Sequence, residues 1–314
     1  MSNNIAFVFP GQGSQHAGML SDVAVESAIV QQCFSEASEV LGYDLWDLCQ
    51  NDPDSSLAKT EITQPALLTA SVSLWRLWQD RSNVKPSMMA GHSLGEYSAM
   101  VCSGAIGFSD AVKLVQSRGQ YMQAAVPQGV GGMAVIIGLN DADVVAACEE
   151  AAQGQVVSAV NYNSPGQIAI AGNAEAIERA MVIAKDKGAK RAMPLAVSVP
   201  SHSALMEPAA KQLALDLESI EIKTPSITVV QNVTAEPCGE PGQIRANLVA
   251  QLYSPVRWAE SVQLMAGKGI NTLVEAGPGK VLCGLAKRID RSITAYPIAE
   301  SAGLAAALET LAAQ

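Results

Sequence analysis

Apolar residues occur along this chain in two patterns, as short continuous runs and at helical spacings of three or four residues. The runs over 5–9 and 88–90 are typical of buried strands. Further strands are predicted over 227–231, 271–275 and 294–298. Amphipathic helices are predicted between them, among others over 25–41, 65–78 and about 109–125. Strands that alternate with helices in this way predict an α/β fold.

The segment 132–199 has its own repeating pattern of strands and helices. Strands are predicted over 133–138, 156–161, 167–171 and 192–199, with helices over 141–152 and 174–187. The order β-α-β-β-α-β is that of the split βαβ, or ferredoxin-like, unit. We therefore predict a ferredoxin-like subdomain at 132–199, inserted into a larger domain formed by residues 1–131 and 200–314.

Composition narrows the possible partners and the compartment. Of 314 residues, 49% are hydrophobic and 16% are charged, which allows a large buried core. The net charge of −10 argues against a nucleic acid or an anionic membrane as partner. No apolar run reaches the length of a membrane span, and no signal peptide is evident, so we expect a cytoplasmic protein. The six cysteines lack C-x-x-C or His spacing, so no metal site is expected.

One pentapeptide has the form of a nucleophile elbow. Gly91-His92-Ser93-Leu94-Gly95 matches G-x-S-x-G, and it lies between a predicted strand and a predicted helix. A serine in so sharp a turn needs glycines on both sides, because neighbouring backbone approaches closely. Its Oγ would lie at a helix N-terminus, which favours developing negative charge. Ser93 is therefore the candidate nucleophile.

Only three histidines could serve as its base. His92 adjoins the nucleophile, so its side chain should point away from Ser93 Oγ. His202 lies in a loop where the chain returns to the larger domain, and it is the main candidate, with His16 as the alternative. No acidic residue stands out as the third member of a triad. A Ser–His dyad with a backbone carbonyl holding the imidazole fits equally well.

Two glycine-containing turns and one arginine are ambiguous. The turn Gly11-Gln12-Gly13 follows the first strand and resembles the start of a dinucleotide-binding loop. His16 stands where such a loop has its third glycine, so a dinucleotide site is not expected. The turn then either brings a backbone N–H to the active site or is a simple tight turn. The segment 277–280 lacks the frame of a phosphate loop. Arg118 lies among apolar helical neighbours, a pattern also typical of a surface arginine whose stem covers apolar residues.

Seven short segments in chain order together resemble the malonyl-CoA:acyl carrier protein transacylases of bacterial fatty acid synthesis. They are VFPGQGSQ at 8–15, TQPAL at 63–67, GHSLGE at 91–96, RG at 118–119, VPSH at 199–202, QLYSPV at 251–256 and EAGPGK at 275–280. The resemblance implies an α/β-hydrolase-like main domain with an inserted ferredoxin-like subdomain. This agrees with the element order predicted above.

The resemblance also implies a role for individual residues. Ser93 would be the nucleophile and His202 the base, with the His202 N–H held by the main-chain carbonyl of Gln251. The backbone N–H groups of Gln12 and Leu94 would form the oxyanion hole. Arg118 would pair with the malonyl carboxylate, and Gln64 and Asn163 would line the pocket. In related polyketide domains that take malonyl, Phe tends to precede the histidine; Ser201 departs from this pattern and leaves substituted malonyl units open.

The implied reaction is a ping-pong transfer of malonyl from coenzyme A to acyl carrier protein through an ester on Ser93. It needs no cofactor, because malonyl-CoA is a substrate and the dyad and oxyanion hole supply the catalysis. We expect a monomer whose acidic carrier protein meets a basic rim formed by Lys190, Arg191, Lys280, Lys287 and Arg288. A serine hydrolase or thioesterase, and a catalytically idle carrier-binding subunit, are the alternatives.

Overall fold

Two β-sheets and thirteen α-helices form the part of the chain that the computed structural model describes, residues 4–52, 54–197 and 199–312. The strands are β1 Ile5–Phe9, β2 Met88–Gly91, β3 Gly131–Ile137, β4 Val157–Ser164, β5 Gln167–Asn173, β6 Arg191–Pro194, β7 Thr228–Val230, β8 Thr272–Glu275 and β9 Thr294–Pro297. The helices are α1 Ser21–Glu26, α2 Ala28–Leu41, α3 Leu45–Asn51, α4 Thr60–Arg81, α5 Leu94–Cys102, α6 Phe108–Ala125, α7 Asp141–Ala152, α8 Ala174–Asp186, α9 Glu207–Glu218, α10 Pro241–Ala250, α11 Trp258–Gly267, α12 Val281–Ile289 and α13 Ser301–Ala312.

The first sheet has five parallel strands in the order β7-β2-β1-β8-β9. All five residues of β1, the central strand, are buried, as expected for a parallel strand covered on both faces. Phe9 pairs with Gly91 at the carboxyl ends of β1 and β2. The loop after β1 and the turn after β2 therefore lie side by side, at the sheet edge where α/β folds form their sites. The α/β fold is confirmed.

The second sheet lies within the segment predicted as an insertion. Its four antiparallel strands have the order β4-β5-β3-β6, which is the ferredoxin-like order, and α7 and α8 pack on it around a separate core. β3 begins at Gly131 and β6 ends at Pro194. The domain limits at 131/132 and 199/200 stay a prediction.

Main-chain hydrogen bonds join the second sheet to the segment that precedes α11. Tyr162 N–H donates to Val256 O at 3.0 Å, and Val256 N–H donates to Val160 O at 2.8 Å. These bonds hold β4 against the segment that precedes α11. The second sheet therefore forms one wall of the cleft at the carboxyl edge of the first.

Two predicted elements differ from the structure. The predicted helix over 25–41 is divided, because the extended Ser27 ends α1 and caps α2 with its side chain, which accepts from Ile29 N–H. The predicted strand over 192–199 ends at Pro194. Leu195, Val197 and Val199 instead line the cleft, and Ser198 lies outside the described residues. Among the helices described, none has both the length and the hydropathy to cross a bilayer.

Candidate active site

Ser93 occupies a sharp turn between β2 and α5, with a φ of 53° that only glycine adopts easily. Both flanking glycines are required by close packing, since a Cβ on Gly91 would collide with the backbone of Gly95, and one on Gly95 with the carbonyl of Phe9. Backbone strain at a non-glycine residue is typical of functional sites. The turn therefore has the geometry of a nucleophile elbow.

The side chain of Asn232, a residue that sequence reasoning missed, holds this turn through two hydrogen bonds to its backbone. Its Oδ1 accepts from Ser93 N–H at 2.8 Å, and its Nδ2 donates to Gly91 O at 2.6 Å. The residue is buried and follows β7, the neighbour of β2 in the sheet. Asn232 thereby satisfies backbone groups that the turn leaves without partners in its own strand and helix.

His202 lies directly opposite the serine hydroxyl. Its Nε2 is 2.8 Å from Ser93 Oγ, and its Nδ1 is 2.7 Å from the carbonyl oxygen of Gln251. A carbonyl can only accept, so Nδ1 carries the proton and the lone pair of Nε2 faces the hydroxyl. The dyad alternative fits this arrangement, because a backbone carbonyl and not a carboxylate holds the imidazole.

The surroundings of His202 keep its imidazole neutral. Burial, followed by the positive charge of Arg118, lowers its pKa from about 6.5 to about 3, although the hydrogen bond to Gln251 opposes the shift. At neutral pH the ring is therefore the unprotonated form that a general base requires. The same histidine protonates near pH 6.5 in the unfolded chain, so acid below that pH shifts the equilibrium toward unfolding.

This lowered pKa predicts a flat pH profile for formation of the acyl-enzyme. Between pH 7.5 and 5.5 we expect the single-turnover acylation rate with malonyl-CoA to fall by less than about 3-fold. A base with an ordinary imidazole pKa would lose roughly 10-fold over that range, because its neutral fraction falls by that factor. Rapid-quench measurements across the range test this expectation. A 10-fold loss would contradict the burial and charge effects described for His202.

The helical pattern alone would allow Arg118 to extend to the surface, but in the structure its side chain is buried. It is 1% exposed, and its guanidinium donates to Gln64 Oε1 at 2.8 Å, to Gln251 Oε1 at 3.0 Å and to Ser93 Oγ at 3.4 Å. Within the described residues it forms no salt bridge, and its Nε has no hydrogen-bond partner. A buried guanidinium without a carboxylate partner is suited to bind an anionic ligand.

A small cavity of about 100 Å³ opens above Ser93. Its lining includes Gln12, Leu94, Arg118 and His202. Within the part of the chain described, the backbone N–H groups of Gln12 and Leu94 donate to no other group of the protein. Two free N–H groups beside a nucleophile are the donors that an oxyanion hole requires.

A second cavity, of about 300 Å³, adjoins the first and shares Gln12, His92, Asn161 and Leu195 with it. It extends between the loop after β1, the second sheet and α12. Asn163 lines this second cavity, and Gln64 lies behind Arg118 as its hydrogen-bond partner. Neither of these two predicted pocket residues lines the cavity that contains Ser93. The two cavities together form an elongated cleft that ends at the serine.

The other two histidines have no contact with Ser93 Oγ. His92 Nε2 is 2.8 Å from Asn163 Oδ1, its ring packs near Trp258, and burial lowers its pKa. This bond links the elbow to β4 of the second sheet. His16 is exposed, with Nδ1 3.3 Å from Ser14 O, and it lines neither cavity. The geometry therefore favours His202 over His16 as the base.

Glu96 is a second residue that sequence reasoning missed. It lies on the first turn of α5 and is 0% exposed. Its carboxylate accepts from Gln251 Nε2 at 2.6 Å and from Asn232 N–H at 3.3 Å, and burial raises its pKa to about 7. In the sequence, Glu96 belongs to the GHSLGE segment, and 93–96 also matches the S-x-x-E capping box, but neither pattern indicates a bond to Gln251.

The first turn of α12, which directly follows the 277–280 turn, binds a carboxylate of the protein itself. Glu275 accepts from Leu282 N–H at 3.0 Å and from Cys283 N–H at 2.7 Å, at the start of α12. The helix N-terminus that a phosphate loop would offer is thus already occupied. Among the described residues there is also no group of three or more His, Cys, Asp or Glu side chains placed to hold a metal ion.

Comparison with known proteins identifies relatives of nearly full length. Residues 6–307 match the acyl transferase domain family. The malonyl CoA-acyl carrier protein transacylase of Salmonella typhimurium is 58% identical over 303 residues, which cover 96% of this chain and 98% of the relative.

Solved structures agree with this result over almost the whole fold. A crystal structure of an acyl carrier protein S-malonyltransferase from Vibrio cholerae has a TM-score of 0.95 at 55% identity, covering 97% of this chain and 99% of the other. A malonyl-transacylase in complex with a type II PKS acyl-carrier protein has a TM-score of 0.96 at 56% identity, covering 98% and 99%. The site agrees with these matches, because its elbow serine faces a neutral histidine beside a buried arginine. The chain therefore belongs to the malonyl CoA-acyl carrier protein transacylase family of acyl transferases.

Proposed function

We propose that the protein transfers malonyl from coenzyme A to the phosphopantetheine thiol of acyl carrier protein, through an ester on Ser93. The observation that carries the proposal is a hydrogen-bonded serine–histidine pair whose Ser93 Oγ lies 3.4 Å from the Arg118 guanidinium, which is buried and has no carboxylate partner within the described residues. The dyad suits acyl transfer, and the guanidinium suits an acyl group with a free carboxylate. The similarity to malonyl CoA-acyl carrier protein transacylases supports both parts.

In the first half-reaction, Ser93 Oγ attacks the thioester carbonyl of malonyl-CoA while His202 Nε2 takes the hydroxyl proton. The carbonyl oxygen becomes an oxyanion that the N–H groups of Gln12 and Leu94 stabilise. The tetrahedral intermediate collapses, the carbon–sulfur bond breaks, and His202 returns the proton to the departing thiol. The Gln251 carbonyl stabilises the imidazolium that forms transiently between these steps.

The second half-reaction uses the same groups in reverse. The carrier-protein thiol gives its proton to His202 and attacks the malonyl ester, and Ser93 Oγ leaves with the proton from the imidazole. No cofactor takes part, because the dyad and the two N–H groups supply proton transfer and charge stabilisation. We also propose a monomeric enzyme, and the coenzyme A and carrier-protein substrates support a cytoplasmic location.

Arg118 provides the test of malonyl as the acyl group. We expect Arg118→Ala to lower the kcat/KM for malonyl-CoA by roughly 30- to 5,000-fold, since truncating one partner of a buried charge pair costs about 2 to 5 kcal/mol. Use of acetyl-CoA should rise relative to malonyl-CoA, because the unpaired guanidinium no longer disfavours a neutral acyl group. Arg118→Lys should fall between the two, since lysine cannot form a two-bond fork. The measurement is the ratio of malonyl to acetyl kcat/KM.

Arg179 offers a matched control for this ratio. It lies on α8, where it donates to the backbone carbonyls of Ala151 and Ala152, and it lines neither cavity. Arg179→Ala should alter stability without altering the ratio. An unchanged ratio in Arg118→Ala would show that malonyl is recognised elsewhere.

The basic rim remains our proposed docking surface for the carrier protein. Arg191 pairs with Ile137 in the second sheet, and Arg288 donates to Gln167 Oε1 at 2.7 Å. Ile137 and Gln167 both line the larger cavity, so the two arginines flank its opening. Lys190 precedes Arg191 in the chain, Lys287 lies beside Arg288 on α12, and Lys280 directly precedes that helix. An acidic partner would meet positive charge here despite the net charge of −10.

Charge reversal tests this surface. The double variant Arg191→Glu and Arg288→Glu should raise the KM for carrier protein by about 10-fold and leave acylation by malonyl-CoA within about 3-fold, because surface charges mainly steer association. Lys211→Glu, an exposed change on α9, is the control. If the rim and control variants had equal KM values for carrier protein, the carrier protein would have to dock on another surface.

A further inference from the structure

Glu96 is a fully buried carboxylate to which the proposed mechanism gives no role. In an S-x-x-E capping box, the serine side chain and the glutamate would bond each other's backbone N–H. Neither bond is present here. Ser93 Oγ faces His202, and Ser93 N–H donates to Asn232. The glutamate is therefore turned away from the local contact that its sequence position predicts.

Glu96 instead contacts the side-chain amide of Gln251. That amide donates from Nε2 to Glu96 Oε2 at 2.6 Å and to Ser93 O at 2.9 Å. At its other end, Oε1 accepts from Arg118 Nη2 at 3.0 Å. Glu96, Gln251 and Arg118 thus form a continuous chain of hydrogen bonds that reaches the guanidinium in the cavity above Ser93.

The direction of each bond in this chain follows from the groups at its ends. A guanidinium only donates and the Ser93 carbonyl only accepts, so Gln251 turns Oε1 toward Arg118 and Nε2 toward Ser93 O and Glu96. If the Gln251 amide were reversed, its NH2 group would face the guanidinium. Both groups are donors, so no hydrogen bond could form between them. Glu96 disfavours that reversal as well, since its carboxylate accepts from the NH2 group, and Asn232 N–H in turn fixes the carboxylate at 3.3 Å.

We propose that Glu96 is a positioning residue for acyl-group selection: through the Gln251 amide it holds the Arg118 guanidinium in the orientation that receives the malonyl carboxylate. This inference rests on the proposed function, since it takes malonyl as the acyl group. Gln64 Oε1 holds the other Nη of the guanidinium. With both ends held, Arg118 binds the carboxylate without first losing conformational freedom, which favours affinity.

A role in selection and a role in folding have different consequences. If Glu96 only stabilised the start of α5, its loss would lower malonyl and acetyl transfer in parallel, because both use the same serine and histidine. If it positions Arg118, its loss lowers malonyl transfer more, and the difference lies mainly in the KM for malonyl-CoA. The discriminating quantity is again the ratio of malonyl to acetyl kcat/KM.

Two substitutions of similar length separate these roles. Glu96→Met removes both acceptor oxygens, and we expect it to lower the ratio by about 10-fold, the effect of one lost hydrogen bond to a charged group. Glu96→Gln keeps one acceptor oxygen for Gln251, so its ratio should lie between those of the wild type and Glu96→Met. Glu275→Met is the matched control, because Glu275 is equally buried but bonds the backbone of α12. It should leave the ratio unchanged.

A parallel loss of both activities in Glu96→Met, or an unchanged ratio, would overturn the inference. If Glu96→Met does not fold, Gln251→Met interrupts the same chain of bonds while keeping the backbone carbonyl for His202. Its ratio must then fall by a similar factor, and an unchanged ratio there also overturns the inference. A wild-type enzyme without any malonyl preference would instead reject the proposed function. If Glu96→Met kept the preference for malonyl-CoA over acetyl-CoA and Arg118→Ala lost it, only the role of Glu96 would be rejected.

Discussion

The Ser93→Ala variant should form no acyl-enzyme and should transfer no malonyl above background. The substitution removes the only hydroxyl that lies 2.8 Å from His202 Nε2 within the described residues. The fold should persist, because Asn232 still holds the elbow through the backbone groups of residues 91 and 93. We expect the free energy of unfolding to change by less than about 1 kcal/mol in urea titrations.

Ser201 provides a matched control for this experiment. It lines the same cavity as Ser93, but its Oγ has the carbonyl of Val199 as its hydrogen-bond partner instead of an imidazole. Ser201→Ala should still take up one malonyl group. An adduct that survived in Ser93→Ala at any other residue would contradict the assignment of the nucleophile.

For His202→Ala we expect the acylation rate to fall by about 10²- to 10⁴-fold, the usual contribution of a positioned general base. The serine hydroxyl would keep Arg118 as a neighbour at 3.4 Å but would have no group to take its proton. Single-turnover acylation with malonyl-CoA measures the rate directly. Substrate binding should change less than the rate, because the imidazole acts on the hydroxyl and not on coenzyme A.

His16→Ala serves as the comparison for the base. The His16 side chain is exposed and lines neither cavity, so this variant should retain most of its activity. If His16→Ala lost more activity than His202→Ala, the base would have to be sought in the loop after β1. Urea unfolding of both variants separates a catalytic effect from a loss of folded protein.

The residues predicted best from the sequence are those whose local pattern and chemistry agree. The glycines around Ser93 are required by the same close packing that the pentapeptide implied. With only three histidines in the chain, position favoured His202 over His16 as the base. The β-α-β-β-α-β order of the insertion was visible because its helices and strands are short and strongly patterned.

The residues that sequence reasoning missed act over long distances along the chain. Asn232 holds an N–H 139 positions away, and Gln251 contacts Glu96 across 155 positions. No local pattern marks such pairs, and the capping-box match of Glu96 pointed to a different partner. The prediction of a strand over 192–199 was wrong beyond Pro194, because the local apolar pattern does not show what those residues contact. The apolar residues beyond Pro194 line the cleft and do not pair in a sheet.

Intact-protein mass spectrometry after brief mixing with malonyl-CoA tests the central claim most directly. We expect the wild-type protein to gain the mass of one malonyl group, located on Ser93 by peptide mapping. The adduct should persist in buffer and disappear on addition of acyl carrier protein, which gains the same mass. Loss of the adduct to water at the same rate with and without carrier protein would indicate a thioesterase, and no adduct at all would contradict acyl transfer through Ser93.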